Sequence, residues 1–170
     1  MINPNASVLL PQRRWMPEHY VALIQQILHQ HSHVLIAITG APQERAEAEA
    51  MVQHVAHERC LNLAGALHLV ELPVLYSLAQ CMITNDSGPA HFASITEMPT
   101  FVFFGPETPA LYRPLGHTTP IYAGLACSPC VAATNHRTTP CRNNVCLQVI
   151  TPTQVYELVR PMLQRSRSHT

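Results

Sequence analysis

Met82-Ile83-Thr84-Asn85-Asp86-Ser87-Gly88-Pro89-Ala90-His91 is the stretch on which the fold turns. A short apolar run climbs into Asn-Asp-Ser-Gly-Pro, and a helical pattern follows with Ala90, Ala93 and Ser94 as small faces. Ser87 or Asp86 is placed to cap that helix, because a side-chain oxygen there accepts its orphan amide hydrogens. Gly88 lets a ligand approach the backbone, and Pro89 suits the first turn, where its missing N–H costs nothing. The expected product is a strand, a tight turn and an exposed helix N-terminus, whose N–H donors and partial positive charge suit phosphate. His91 stands four residues beyond Ser87, on the same face and one turn away. The same residue types also make a well-capped turn with no ligand.

Outward from this stretch the chain alternates apolar runs with helical patterns. Residues 2–10 offer a short strand or extended lead-in, followed by a loop at Pro11–Trp15. A helix is expected from Pro17, with Val21, Ile24, Ile27 and Leu28 at helical spacing. Val34-Leu35-Ile36-Ala37-Ile38 reads as a strand buried on both faces. Thr39-Gly40-Ala41-Pro42 ends it, and residues 43–57 return to helix through Ala48, Met51, Val52 and Val55. A very short strand is expected at 61–63 and a helix at 71–80, with Pro73 tolerable only in the first turn. Strands at 82–84, 100–104 and 121–123 follow, and Ile150-Thr151-Pro152-Thr153 caps a last helix through Val155, Leu158, Val159 and Met162.

Strands alternating with helices at this pitch mean βαβ units with right-handed crossovers, hence an α/β fold with a Rossmann-like parallel sheet flanked by helices. Residues 1–164 are expected to form that one domain and 165–170 a polar tail. Ligands of such sheets bind at the carboxyl ends of the strands. Four loops fall there: 5–15, 39–42, 85–88 and 105–109.

Lys plus Arg balances Asp plus Glu at ten each. That balance excludes the positive excess a nucleic-acid groove or a polybasic membrane patch needs. The start of the chain lacks a basic n-region and apolar h-region, and no apolar run is long enough to span a bilayer. The expectation is a cytoplasmic protein, with peripheral contact at the inner membrane compatible with it. Among eleven histidines only His29, His31 and His33 stand close together, and they read as a wet helix-to-strand connection.

Thr84 to His91, then Met98-Pro99-Thr100 and Phe103-Phe104-Gly105-Pro106, resemble the ADP-heptose:lipopolysaccharide heptosyltransferases of glycosyltransferase family 9. In that family a D-[ST]-G-x-x-H segment precedes a Pro-Thr strand and an F-G-P turn, and the match covers nearly the whole chain. The resemblance implies the C-terminal, nucleotide-sugar-binding half of a GT-B glycosyltransferase. It implies an ADP-heptose-like donor, no required cofactor, and Arg13 on the donor's phosphates, with Arg14 a weaker candidate. An arginine's planar fork suits phosphate oxygens, although Arg13-Arg14 also reads as a solvated pair at a loop edge. Ser7 falls near the phosphates by the same resemblance, and Glu44 on the ribose, where a carboxylate accepts two hydroxyl hydrogens. Glu44 is also simply a favourable first-turn acid. Ser87 and the amides after Gly88 would hold the diphosphate, His91 would steady it as it leaves, and Asp86 would bond sugar hydroxyls or fix the turn. Glu107-Thr108 departs from the family's Gly-Pro-Thr order.

Cys60 and Cys81 sit in apolar contexts and read as small buried hydrophobes. Cys127, Cys130, Cys141 and Cys146 lie within twenty residues. They have the composition of a structural zinc site, against which stand the C-x4-C spacing of the second pair and Pro129 inside the first. The other reading is free or redox-active thiols in a flap over the sugar.

The resembled enzymes carry an N-terminal domain that binds the lipopolysaccharide core acceptor and supplies the base an inverting transfer needs. No segment before residue 3 provides it, so the expectation is a donor-binding half that transfers nothing alone. Its uncovered face should expose Trp15, Leu111 and Tyr112 and favour self-association. The alternative is a non-catalytic nucleotide-binding or partner-binding module that has lost its catalytic half.

Overall fold

The computed structural model describes residues 1–136 and 138–164, and the polar tail expected at 165–170 lies outside them. Its strands are β1 (Ile2–Asn3), β2 (Ile36–Ile38), β3 (Cys60–Asn62), β4 (Met82–Asn85), β5 (Thr100–Phe104) and β6 (Thr118–Tyr122). Its helices are α1 (Pro17–Gln30), α2 (Arg45–Val55), α3 (Leu72–Leu78), α4 (Gly88–Ala93), α5 (Pro109–Tyr112), α6 (Val145–Gln148) and α7 (Pro152–Leu163). The strands form one sheet in the order β3-β2-β1-β4-β5-β6, and every pairing is parallel.

Strand alternation sorts the core into two layers. Ile83, Phe101 and Phe103 point to one face, where they join Leu23, Ile24 and Ile27 of α1, Ala48 and Met51 of α2 and Val155 and Val159 of α7. Met82 points to the other, against Tyr76 of α3 and Ala93 of α4, while Val102 and Phe104 pack on Ala90. This period of two is why β4 and β5 are buried along their whole length, Thr84, Asn85 and Thr100 included: the sheet is covered on both faces. Removing these side chains from water, at about 25 cal/mol per Å² of apolar area, is the main force holding the sheet and helices together.

Several expectations shift. β6 begins at Thr118 and carries Pro120, tolerated because β6 is an edge strand whose outer N–H positions need no partner. Leu158 is 39 % exposed, so only the Val155–Val159 side of α7 faces the core. Trp15 is buried rather than exposed, stacked on Phe103 at 4.3 Å with its Nε1 donating to the Ile150 carbonyl, while Leu111 is exposed as expected and Tyr112 is half-buried. The indole therefore belongs to the core that joins α1 to the last helix.

The histidine group is not uniformly wet. His31 is buried beneath α7, with Nε2 3.2 Å from the Tyr156 hydroxyl and its ring against that of His33. Arg59 caps the end of α1 by donating to the carbonyls of Leu28, His31 and Val34. Burial, and then the neighbouring His33, lowers the His31 pKa below its ordinary 6.5. The folded state thus binds fewer protons here than the unfolded chain. The stability contributed by neutral His31 is complete above about pH 6.5 and is lost as pH falls below it toward the depressed folded value. The urea midpoint should fall between pH 7.5 and pH 5.5, and His31→Gln should flatten that dependence. An equally steep dependence in the variant would assign it to other groups.

Candidate functional site

Asn85, the last residue of β4, is wholly buried, and its amide engages four groups. Oδ1 accepts from the Trp15 N–H at 2.9 Å and the Tyr20 hydroxyl at 3.2 Å. Nδ2 donates to the Pro4 carbonyl at 2.7 Å and the Asn5 carbonyl at 3.3 Å. A side-chain amide has two donors and two acceptor lone pairs, so all four positions are used. Asn85 thereby fixes the loop after β1, the loop before α1 and the turn after β4 relative to one another. In the sequence Asn85 is distinguished only as part of the turn.

Beside this hub opens a cleft of about 720 Å³ at the carboxyl ends of β1, β2 and β4. Asn5, Ala6, Ser7 and Arg14 line it from the first loop, Gly40 and Glu44 from the second, and Ser87-Gly88-Pro89 from the third. Leu63, Leu67 and Leu72 make an apolar wall. Of the residues expected at a donor site, Ser7, Glu44, Ser87 and Gly88 therefore share one cavity. A second cavity, of about 580 Å³ between α1 and α2, contains none of them in its lining.

Two details of the cleft differ from expectation. Ser87 occupies the N-cap position of α4, yet its side chain does not cap the helix, and its hydroxyl donates to the Asn85 carbonyl instead. Gly88 has no left-handed backbone and nothing within 4 Å of where a Cβ would sit, so neither packing nor φ requires glycine there. Glu44 serves the bland role at least, since one carboxylate oxygen accepts the Ala41 N–H at 2.6 Å.

Arg13, Asp86 and His91 gather beside the cleft rather than on its lining. The Arg13 Nε lies 3.9 Å from Asp86 Oδ2, and His91 Nε2 lies 3.9 Å from Asp86 Oδ1. Arg13 also makes a close ion pair with Glu107, which is only 1 % exposed. In the sequence Glu107 stands out only as a departure from a motif. Its turn is held by the segment after β6: the N–H groups of Cys130 and Val131 donate to the Pro106 carbonyl, and the Ser128 hydroxyl bonds the Gly105 carbonyl. The same segment is tied to the arginine loop, with Gln12 Nε2 donating to the Cys141 carbonyl and Asn144 Nδ2 to the Gln12 and Arg14 carbonyls. Arg14 turns the other way, to Glu47 at 3.1 Å and the Ala6 carbonyl.

No three His, Cys, Asp or Glu side chains among the described residues are arranged to hold a metal ion, and Cys127, Cys130, Cys141 and Cys146 are free thiols. Burial first, then the neighbouring thiols of Cys130, Cys127 and Cys141, pushes Cys146 up to about 11, so it is a protonated packing residue at neutral pH. Cys60, also buried, is pushed to about 11, and Cys81 is buried and raised as well. Among the described residues no helix is long and apolar enough to cross a membrane.

The sequence model described as Glycosyltransferase family 9 (heptosyltransferase) matches residues 1–139. Lipopolysaccharide heptosyltransferase 2 of Salmonella typhimurium is 30 % identical over 108 residues, which is 63 % of this chain and 31 % of that protein. The solved ADP-heptose lps heptosyltransferase II of E. coli superposes with a TM-score of 0.76 at 24 % identity, over 95 % of this chain and 45 % of that one. E. coli heptosyltransferase WaaC, solved with ADP, gives a TM-score of 0.71 at 18 % identity, over 95 % and 43 %. The two structural matches establish the fold, which is that of half a GT-B enzyme, and the chain spans less than half the length of each of these proteins.

The Asn85 hub is testable by an isosteric change. Asn85→Asp replaces the donor facing the Pro4 and Asn5 carbonyls with a further acceptor and buries a charge. The expected loss is about 3 kcal/mol or more in urea unfolding, partly recovered at low pH where the carboxyl regains a donor hydrogen. A loss under about 0.5 kcal/mol, the scale of an ordinary surface substitution, would remove Asn85 from this role.

Proposed function

The chain belongs to glycosyltransferase family 9, the heptosyltransferases, and from that premise we propose that it binds the nucleoside diphosphate of an ADP-heptose-like donor in the cleft at the ends of β1, β2 and β4. The observation that carries this reading is the cleft itself, which combines a polar turn, a carboxylate and an apolar wall within about 720 Å³. Leu63, Leu67 and Leu72 suit the face of a base, Glu44 suits the ribose diol, and the amides at Ser87-Gly88 suit the diphosphate. Open space beside Gly88 lets phosphate oxygens come close to the backbone. The ADP bound by the related E. coli enzyme supports the choice of nucleotide.

As heptose passes from the bound donor to the acceptor, its bond to the diphosphate breaks, ADP leaves, and negative charge develops on the oxygen that bridged them. Preorganised N–H donors and His91, which is 54 % exposed at the mouth of the cluster, are suited to that charge. The acceptor is a lipopolysaccharide core hydroxyl, which must lose a proton as it attacks, and that general base belongs to an acceptor-binding half. Asp86 is a poor substitute, being 4 % exposed and facing Arg13. Heptosyl transfer by this chain therefore requires a second domain.

Calorimetric titration with ADP and UDP tests the reading. ADP should bind, and Ser87→Ala combined with His91→Ala should weaken it by about 1–3 kcal/mol. Gly88→Ala should leave the thermal midpoint unchanged or slightly raised, because alanine favours helix and meets no neighbour, while lowering ADP affinity. Full affinity in both variants would sink the assignment.

A further inference from the structure

Glu107 is a carboxylate buried in the turn between β5 and α5 and paired with the Arg13 guanidinium. Arg13 meets a second strand end as well, with Nε 3.9 Å from Asp86 Oδ2 and Nη1 3.5 Å from the Asp86 carbonyl. Carboxylates from the ends of β4 and β5 thus face one guanidinium. The β5 turn has other supports: Pro106 accepts from Cys130 and Val131, Gly105 from the Ser128 hydroxyl, and Thr108 caps α5 by accepting the Ala110 N–H. What Glu107 adds is control of where Arg13 points and how much of its charge is felt nearby.

Resting on the donor-site reading, we propose that Glu107 is a positioning residue for the diphosphate subsite. It holds the Arg13 guanidinium across the ends of β4 and β5, beside the 86–91 turn, and counters its charge. The diphosphate is then recognised through the geometry of hydrogen bonds at the turn rather than through an unopposed cation. This predicts ADP binding that depends only weakly on salt, since opposed charges at short range leave little field to screen.

Glu107→Gln keeps the shape and removes the charge. It should bind ADP roughly threefold to tenfold tighter at low salt and lose that advantage at high salt. Glu107→Asp keeps the charge and should retain the shallow salt dependence. A second readout needs no nucleotide: phenylglyoxal, which adds to guanidinium groups, is followed by peptide mass spectrometry. Arg13 should be labelled slowly in the parent chain and several-fold faster in Glu107→Gln, with Arg14 as the unchanged internal reference. Glu107→Asp, whose carboxylate is set back, should label at an intermediate rate, and it decides the matter if the Gln variant fails to fold. Weaker ADP binding in Glu107→Gln with an unchanged salt slope would make Glu107 merely structural and overturn the proposal. Equal Arg13 labelling in the parent chain and the folded variants would overturn it as well. Faster Arg13 labelling with no ADP binding to any protein would sink the donor-site reading and leave the Glu107–Arg13 coupling standing.

Discussion

The four hydrogen bonds of the Asn85 amide are the constraint from which the rest of the site follows. A buried polar group left without partners costs more than a satisfied one gains, so each contact restricts the others. Its two donors hold the chain as it leaves β1, and its acceptor holds the Trp15 N–H and the Tyr20 hydroxyl where the chain enters α1. Trp15 is fixed again by its stack on Phe103 and its bond to Ile150. Arg13 and Arg14, immediately before it, are therefore set down at a defined place above the sheet although they lie in a loop.

The position of the cleft is a property of strand order. β1 has β2 on one side and β4 on the other, so successive connections run outward in opposite directions from it. α1 and α2 cover one face of the sheet while α3 and α4 cover the other, and the loops leading to them part above β1 and β4. A crevice at this reversal of strand order is where parallel sheets bind ligands. Here it receives the ends of three strands, and Gly40 lets two of them meet: a Cβ there would lie 2.8 Å from Asn5 Nδ2 and 2.9 Å from Glu44 Oε2.

The features legible in the sequence are those whose signal is local. The apolar runs at β2 and β5, the short apolar start of β4, the helical spacing of α1, α2 and α7, and the Thr151 cap each follow from neighbours a few residues apart. The turn at 85–88 was equally readable as a strand end followed by a helix. Burial of polar groups was not. His31 looks like a loop residue until α7 packs over it from more than a hundred positions away. Glu107 looks like a turn acid until residues 128–131 fold back onto its turn. Ser87 has the right chemistry for a helix cap, yet its hydroxyl is turned to the Asn85 carbonyl. Long-range closure decides these cases, and no pattern of period two or 3.6 carries it.

The two arginines show how one loop divides its charge between a fixed floor and an adaptable rim. Arg14 is extended at φ −79° and ψ 123°, directly after the short turn that ends with Arg13, so the two side chains leave on different sides. Arg13 has a side-chain exposure of 15 % and is paired with Glu107 at 1 %, whereas Arg14 at 31 % is paired with Glu47 at 66 %. Separating the buried pair would leave a charge without water, a loss of about 3–5 kcal/mol when one partner is removed. The Arg14–Glu47 pair is worth at most about 1 kcal/mol, because water takes up either partner. A ligand entering the cleft can therefore draw Arg14 from Glu47 at small cost, while Arg13 keeps its place between β4 and β5. The part of the site that adapts to a ligand is the part that solvent already reaches.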